Sequence, residues 1–198
     1  NAYANAFGSW PTAGVTVTAD TTVAPDGTTT ADTLAFTSSA WAYTINSTVT
    51  STATLSMTGS IWLKGTPGDK IGLRINNANT AAGDYIVVTL TANWVRYSLT
   101  ASIPFTAGQS VTMGLETRVV VVPGTGAAVT VQAWGAQVED GTVATSLIPT
   151  YGTAVLRAAD APEIATSLFP YNVSEGTLYI EATVPTIVGG SRVLSLNN

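Results

Sequence analysis

Short apolar runs of strand length recur along the whole chain, each closed by Gly, Pro, Asn or Asp, and no window sustains a helical apolar period. A chain patterned this way can hide its apolar side chains only by pleating, because alternate residues of a strand point to opposite faces. The runs are Val15 to Ala19, Thr33 to Thr37, Trp41 to Asn46, Thr54 to Lys64, Lys70 to Ile75, Tyr85 to Thr91, Val95 to Ile103, Ser110 to Val122 and Ala128 to Val138. That spacing predicts an all-β protein, a sandwich with very little helix. A turn near Pro162 to Ser167 is the one helix-compatible stretch.

The composition supports this. Only 10% of residues are charged while 45% are hydrophobic, and Thr, Ser, Ala, Val and Gly dominate, which suits strands and tight turns. With 198 residues the chain holds one sandwich of ordinary size plus an extra segment. Lys and Arg total 7 against 12 acidic residues, a net charge of -5, and basic residues cluster nowhere, which excludes a nucleic-acid partner. Apolar runs such as Val119 to Val122 are far shorter than the roughly 20 residues of a membrane helix, so no insertion is expected.

The chain has no cysteine and no histidine. Disulfides, thiolate metal sites and thiol nucleophiles are therefore ruled out, as are the commonest general base and the commonest zinc ligand. Glycosidase chemistry needs paired carboxylates. Here Asp20, Asp26, Asp32, Asp69, Asp84, Asp140 and Asp160 are scattered in turn-like contexts, and although Glu116 and Glu139 fall on strands, no nucleophile motif accompanies them. A protein that is not an enzyme is expected. PGTG at 123–126 and VGGS at 188–191 precede no helix and read as hairpin turns, not phosphate cradles.

Organisation follows from the same signals. Residues 1–160 are expected to form a β-sandwich, which the resemblance given below makes a jelly roll, 161–174 a surface linker, and 175–198 a hairpin that the same resemblance makes the opening of a second, incomplete β-domain. The stretch Arg157 to Ser174 carries two prolines and no alternation. Beyond it, Gly176 to Val184 and Arg192 to Leu196 read as a hairpin too small to stand alone. An Asn at position 1 and a strand-like end at Asn198 suggest an internal piece of a longer polypeptide.

Alternation also assigns faces. Leu55, Met57, Gly59, Ile61 and Leu63 point inward, which sends Trp62 outward with Ser60 and Lys64. By the same rule Trp94 faces out with Arg96, and Trp134 with Thr130 and Gln132, whereas Trp41 shares a core face with Tyr43 and Ile45. Large aromatics on polar faces call for a covering surface. The linker or N-terminal arm, a neighbouring subunit, or a sugar stacked on the indoles and bonded by Arg96, Gln132 or Glu116 would each provide one, and a bulge that flips the register would remove the need. Trp62, Trp94, Arg96 and Trp134 are thus the candidate ligand- or partner-contacting residues.

The block WGAQVEDGTVATSLIPTYGTAVLRAAD at 134–160, followed by EGTLYIEATV at 175–184, resembles the closing segment of a carbohydrate-binding-module-like jelly roll in bacteriophage tail fibre and head fibre proteins, where it leads into a concanavalin- or laminin-G-like lectin domain. Asn5, Phe7, Trp10 and APDGTTTADTL at 24–34 look like the opening of that module. The resemblance implies a structural component of a virion fibre or spike, located in the extracellular particle, that forms or scaffolds a receptor-binding surface. Its implied partners are other virion proteins, copies of itself in a homotrimer, and host-surface glycan. No cofactor is implied beyond a structural calcium ion, for which Asn5, Asp26 and Glu139 would be ligands. The rivals are a carbohydrate-binding module of a polysaccharide-degrading enzyme and an architectural capsid or tail protein without ligand.

Overall fold

A computed structural model describes residues 6–38, 43–45, 49–50, 56–80, 82–102, 104–118 and 125–150, with isolated positions at 155, 172, 174 and 175. The strands are β1 (Thr12–Ala13), β2 (Val15–Thr22), β3 (Ala31–Phe36), β4 (Tyr43–Ile45), β5 (Val49–Thr50), β6 (Met57–Gly65), β7 (Lys70–Asn77), β8 (Gly83–Thr89), β9 (Val95–Thr100), β10 (Ser110–Glu116) and β11 (Val129–Asp140). They form two antiparallel sheets: a front sheet in the order β2-β3-β11-β6-β9, and a back sheet in the order β1-β4-β10-β7-β8 with β5 also paired to β10. This is the expected all-β jelly-roll sandwich. The chain divides into two units, Asn1–Val155 and Leu156–Asn198. Apart from those isolated positions, the expected linker and hairpin fall outside the described residues, as does Trp41.

The core lies between the sheets and follows the alternation. Leu34, Ile61, Leu63 and Val131 from the front sheet meet Ile71, Leu73, Met113 and Leu115 from the back sheet, all essentially without solvent contact. Phe7 and Trp10, from the short 3-10 turn Phe7–Ser9 and its cap, close one end with ring centroids 4.7 Å apart. Close sheet approach depends on Gly59, where an added Cβ would lie 2.7 Å from Met113 Sδ and 3.0 Å from Ile75 Cδ1. Gly59→Val should therefore cost about 2–3 kcal/mol of stability in urea unfolding monitored by circular dichroism, through overpacking.

One departure from simple alternation matters for the site. In β11 the register with β6 shifts between Trp134 and Gln137 at a β-bulge, with Gly135 at φ 62°, a left-handed conformation that glycine adopts readily. Strict alternation from Trp134 would expose Ala136 and Val138 and bury Gln137 and Glu139. The extra residue reverses this, so Ala136 and Val138 join the core while Gln137 and Glu139 share the outer face with Trp134.

Candidate functional site

The bulge places two side chains where they capture the chain that follows. Gln137 Oε1 accepts the Ile148 N–H at 2.8 Å, and Gln137 Nε2 donates to Glu139 Oε1 at 2.7 Å and to the Ser146 carbonyl at 3.5 Å. Glu139 in turn accepts the Thr145 N–H at 2.9 Å and the Thr145 hydroxyl at 2.6 Å. Residues 141–150 are thereby bound back over the front sheet as a strap. Leu147 of the strap packs with Trp62, Trp94, Trp134, Ala24 and Ala31 in a second apolar cluster, separate from the main core. A side chain at Gly135 would crowd this cluster, since its Cβ would fall 3.2 Å from Trp62 Cδ1 and 3.4 Å from Leu147. The spacing of the block from Trp134 to Pro149 thus has a mechanical meaning: bulge, clamp, strap.

All three tryptophans lie on the outer face, as alternation predicts, and the cover comes from their own chain. That cover is the strap and the β2–β3 loop. Trp134 is only 6% exposed, and its Nε1 donates to Thr30 Oγ1 at 3.0 Å. Trp62 and Trp94 are half-buried; Trp94 Nε1 donates to the Val23 carbonyl at 3.0 Å, and Lys64 Nζ sits 4.8 Å from a Trp94 ring centre. Arg96 pairs across from Trp62 and donates from Nη2 to Ser60 Oγ at 2.8 Å, leaving its buried Nε without a hydrogen-bond partner. Burial pulls its guanidinium below the ordinary value, with Glu139 opposing. Glu116 does not join these residues: β10 belongs to the back sheet, where Glu116 hydrogen-bonds Arg118 and lies 3.8 Å from Arg74. It therefore drops out of a sugar platform built on the tryptophans.

Where the strap meets the N-terminal turn and the β2–β3 loop, the structure opens a cleft of about 910 Å3. Trp134, Leu147 and Pro149 supply apolar wall, while Ser9, Thr28, Thr30 and Thr150 supply hydroxyls and Asp20, Asp26 and Asp32 carboxylates. No local pattern announces this grouping, because it joins positions separated by more than a hundred residues; what points to it is the pair of blocks that open and close residues 1–160. Thr150 Oγ1 is a buried atom with no hydrogen-bond partner. Asp20 occupies a register shift in β2 between Thr18 and Thr22 at φ 53°, and among the described residues no donor meets its carboxylate. Asp26 Oδ1 accepts both the Thr28 hydroxyl at 2.7 Å and the Thr28 N–H at 2.9 Å, which hold its pKa below the usual carboxylate value.

Asp32 plays a different part. It is 1% exposed and accepts the backbone N–H groups of Phe7 at 3.2 Å and Asp20 at 3.0 Å, tying the N-terminal turn to the β2 bulge. Burial raises its pKa above the ordinary 3.8, with the Asp20 charge adding and the two N–H donors opposing. The folded protein then binds the Asp32 proton at a pH where the unfolded chain has released it, so this group makes stability fall as pH rises through the raised value and recover on acidification toward 3.8. Asp26, shifted the other way, loses its contribution only below that range. Urea midpoints measured between neutral pH and pH 4 should therefore rise less on acidification in Asp32→Asn than in the parent protein.

Among the described residues no group of three or more Asp, Glu, His or Cys is placed to hold a metal ion. Glu139 is committed to Gln137 and Thr145, Asp26 to Thr28, and Asn5 lies outside the described residues.

No family model and no curated protein sequence matches the chain. Solved structures with similar outlines include the enzymatically active domain of tailspike protein 4 of bacteriophage CBA120, 12% identical with a TM-score of 0.47, covering 69% of this chain and 20% of that one. A family 16 carbohydrate-binding module is 16% identical with a TM-score of 0.49, covering 70% of this chain and 96% of that one. The xylan-binding CBM22-1 domain of Paenibacillus barcinonensis Xyn10C is 16% identical with a TM-score of 0.47, covering 68% and 87% respectively.

Proposed function

We propose that the chain is a non-catalytic carbohydrate-binding sandwich whose ligand enters the cleft beside Trp134, and that it serves in a virion fibre or spike that touches a host-surface glycan. The cleft carries this reading. Its volume of about 910 Å3 suits a short oligosaccharide, and its lining joins an indole and aliphatic wall to a rim of hydroxyls and carboxylates. A pyranose needs that combination, since its C–H faces stack on flat apolar groups while its equatorial hydroxyls seek donors and acceptors. Thr150 lines the cleft, and its buried hydroxyl has no hydrogen-bond partner of its own. Binding without cleavage is supported by Asp32, whose oxygens are both spent on backbone N–H groups and not aimed at a glycosidic bond.

Gly8 offers a clean test because it lines the cleft and a Cβ there meets nothing within 4 Å. Gly8→Trp should fill the cleft and weaken glycan binding at least about tenfold in fluorescence or calorimetric titration, with stability changed by less than about 0.5 kcal/mol. Unchanged affinity in that variant would remove the cleft as the site. The virion setting is supported by the two sequence blocks bracketing residues 1–160, and mass spectrometry of purified particles should then recover the chain. Recovery instead from a secreted polysaccharide-degrading enzyme would favour the module's other setting.

A further inference from the structure

The carbohydrate reading leaves the charge of the sugar open, and the cleft lining speaks to it. Among the described residues, Asp20, Asp26 and Asp32 line the cleft and no Lys or Arg does. The described cations of the sandwich lie elsewhere: Arg96 bonds Ser60, Lys64 sits over Trp94, Arg74 and Arg118 lie at Glu116, and Lys70 is on β7 of the back sheet. Asp32 is used by the fold, but Asp20 and Asp26 are exposed at the rim, and Asp26 is held ionised by Thr28. A uronate or sialate entering here would bring its carboxylate toward carboxylates with no cation between them. A protonated amine would instead find two acceptors of opposite charge next to an indole, a favourable setting for a cation.

We infer that the cleft selects amino sugars bearing a free amine over neutral and acidic sugars; this rests on the carbohydrate reading above. The test titrates the full chain with glucosamine, N-acetylglucosamine and galacturonate oligomers of equal length, at about pH 5.5, where carboxylates are ionised and amines protonated. The glucosamine oligomer should bind about five- to tenfold tighter than its N-acetylated counterpart, and the uronate weakest. Raising salt to about 0.5 M should erase most of that preference. The double variant Asp20→Asn, Asp26→Asn should bring the ratio close to one, and because Asn at position 26 still offers an Oδ1 acceptor to Thr28, the loop is retained. Equal or tighter binding of the N-acetylated oligomer, or a preference that survives the double variant, overturns the charge selectivity and leaves the carbohydrate reading standing. Failure of all three oligomers and of a broad glycan display, with Gly8→Trp indistinguishable from the parent, overturns both.

Discussion

Trp134→Ala should cost about 3–5 kcal/mol, the range for truncating a buried tryptophan, and should lower the thermal midpoint by about 10 °C. The indole is 6% exposed, its N–H is bonded to Thr30, and it is a buried member of the second apolar cluster. Removing it leaves a void beneath the strap and takes the indole donor from Thr30 Oγ1, which keeps its bond to Thr28. Trp94→Ala is the matched control: it is half-buried at the same cluster and should cost only about 1 kcal/mol, chiefly its bond to the Val23 carbonyl and the Lys64 contact. Urea unfolding of both variants checks the difference. Similar losses at the two positions would mean that the outer cluster is not organised around Trp134.

Gln137→Met should cost about 2–3 kcal/mol although it nearly conserves volume. The side chain is 4% exposed and bonds Ile148, Ser146 and Glu139 together, so an apolar replacement leaves the Ile148 N–H without its acceptor and takes one donor from Glu139 Oε1, which keeps the Thr145 N–H. Because Leu147, Pro149 and Thr150 of the strap line the cleft, the same substitution should weaken glycan binding. Hydrogen exchange provides the specific readout. Amides at 145–148 should lose protection in Gln137→Met while those of β7, across the core, keep theirs. Uniform loss of protection would indicate general destabilisation instead of a released strap.

The outward setting of Trp62, Trp94 and Trp134 was legible because inward neighbours such as Ile61, Leu63 and Val131 fix the phase of each strand, and a period of two leaves the tryptophans no other side. Their cover was not legible. A strap bound through Gln137 and Glu139 exists only because the bulge turns those two residues outward, and phase counting past Gly135 places them inside. Alternation sets Arg96 on the outer face with Trp94, and the pairing of β6 with β9 brings it opposite Trp62. Glu116 was not separable from them by sequence, because alternation says which face a side chain takes and nothing about which sheet its strand joins.

The order of short apolar runs, the want of helical period and the scarcity of charge by themselves determined that this chain makes two stacked sheets, since those properties act between near neighbours along the strand. Strand partners, the bulge at Gly135 and the cleft shared by Ser9, Asp26, Trp134 and Thr150 were decided only by the tertiary structure. The physical reason is distance along the chain. Local pattern fixes a residue's direction, but a binding surface forms from residues brought together by pairing between strands far apart in sequence, and that pairing is settled by packing of the whole sandwich.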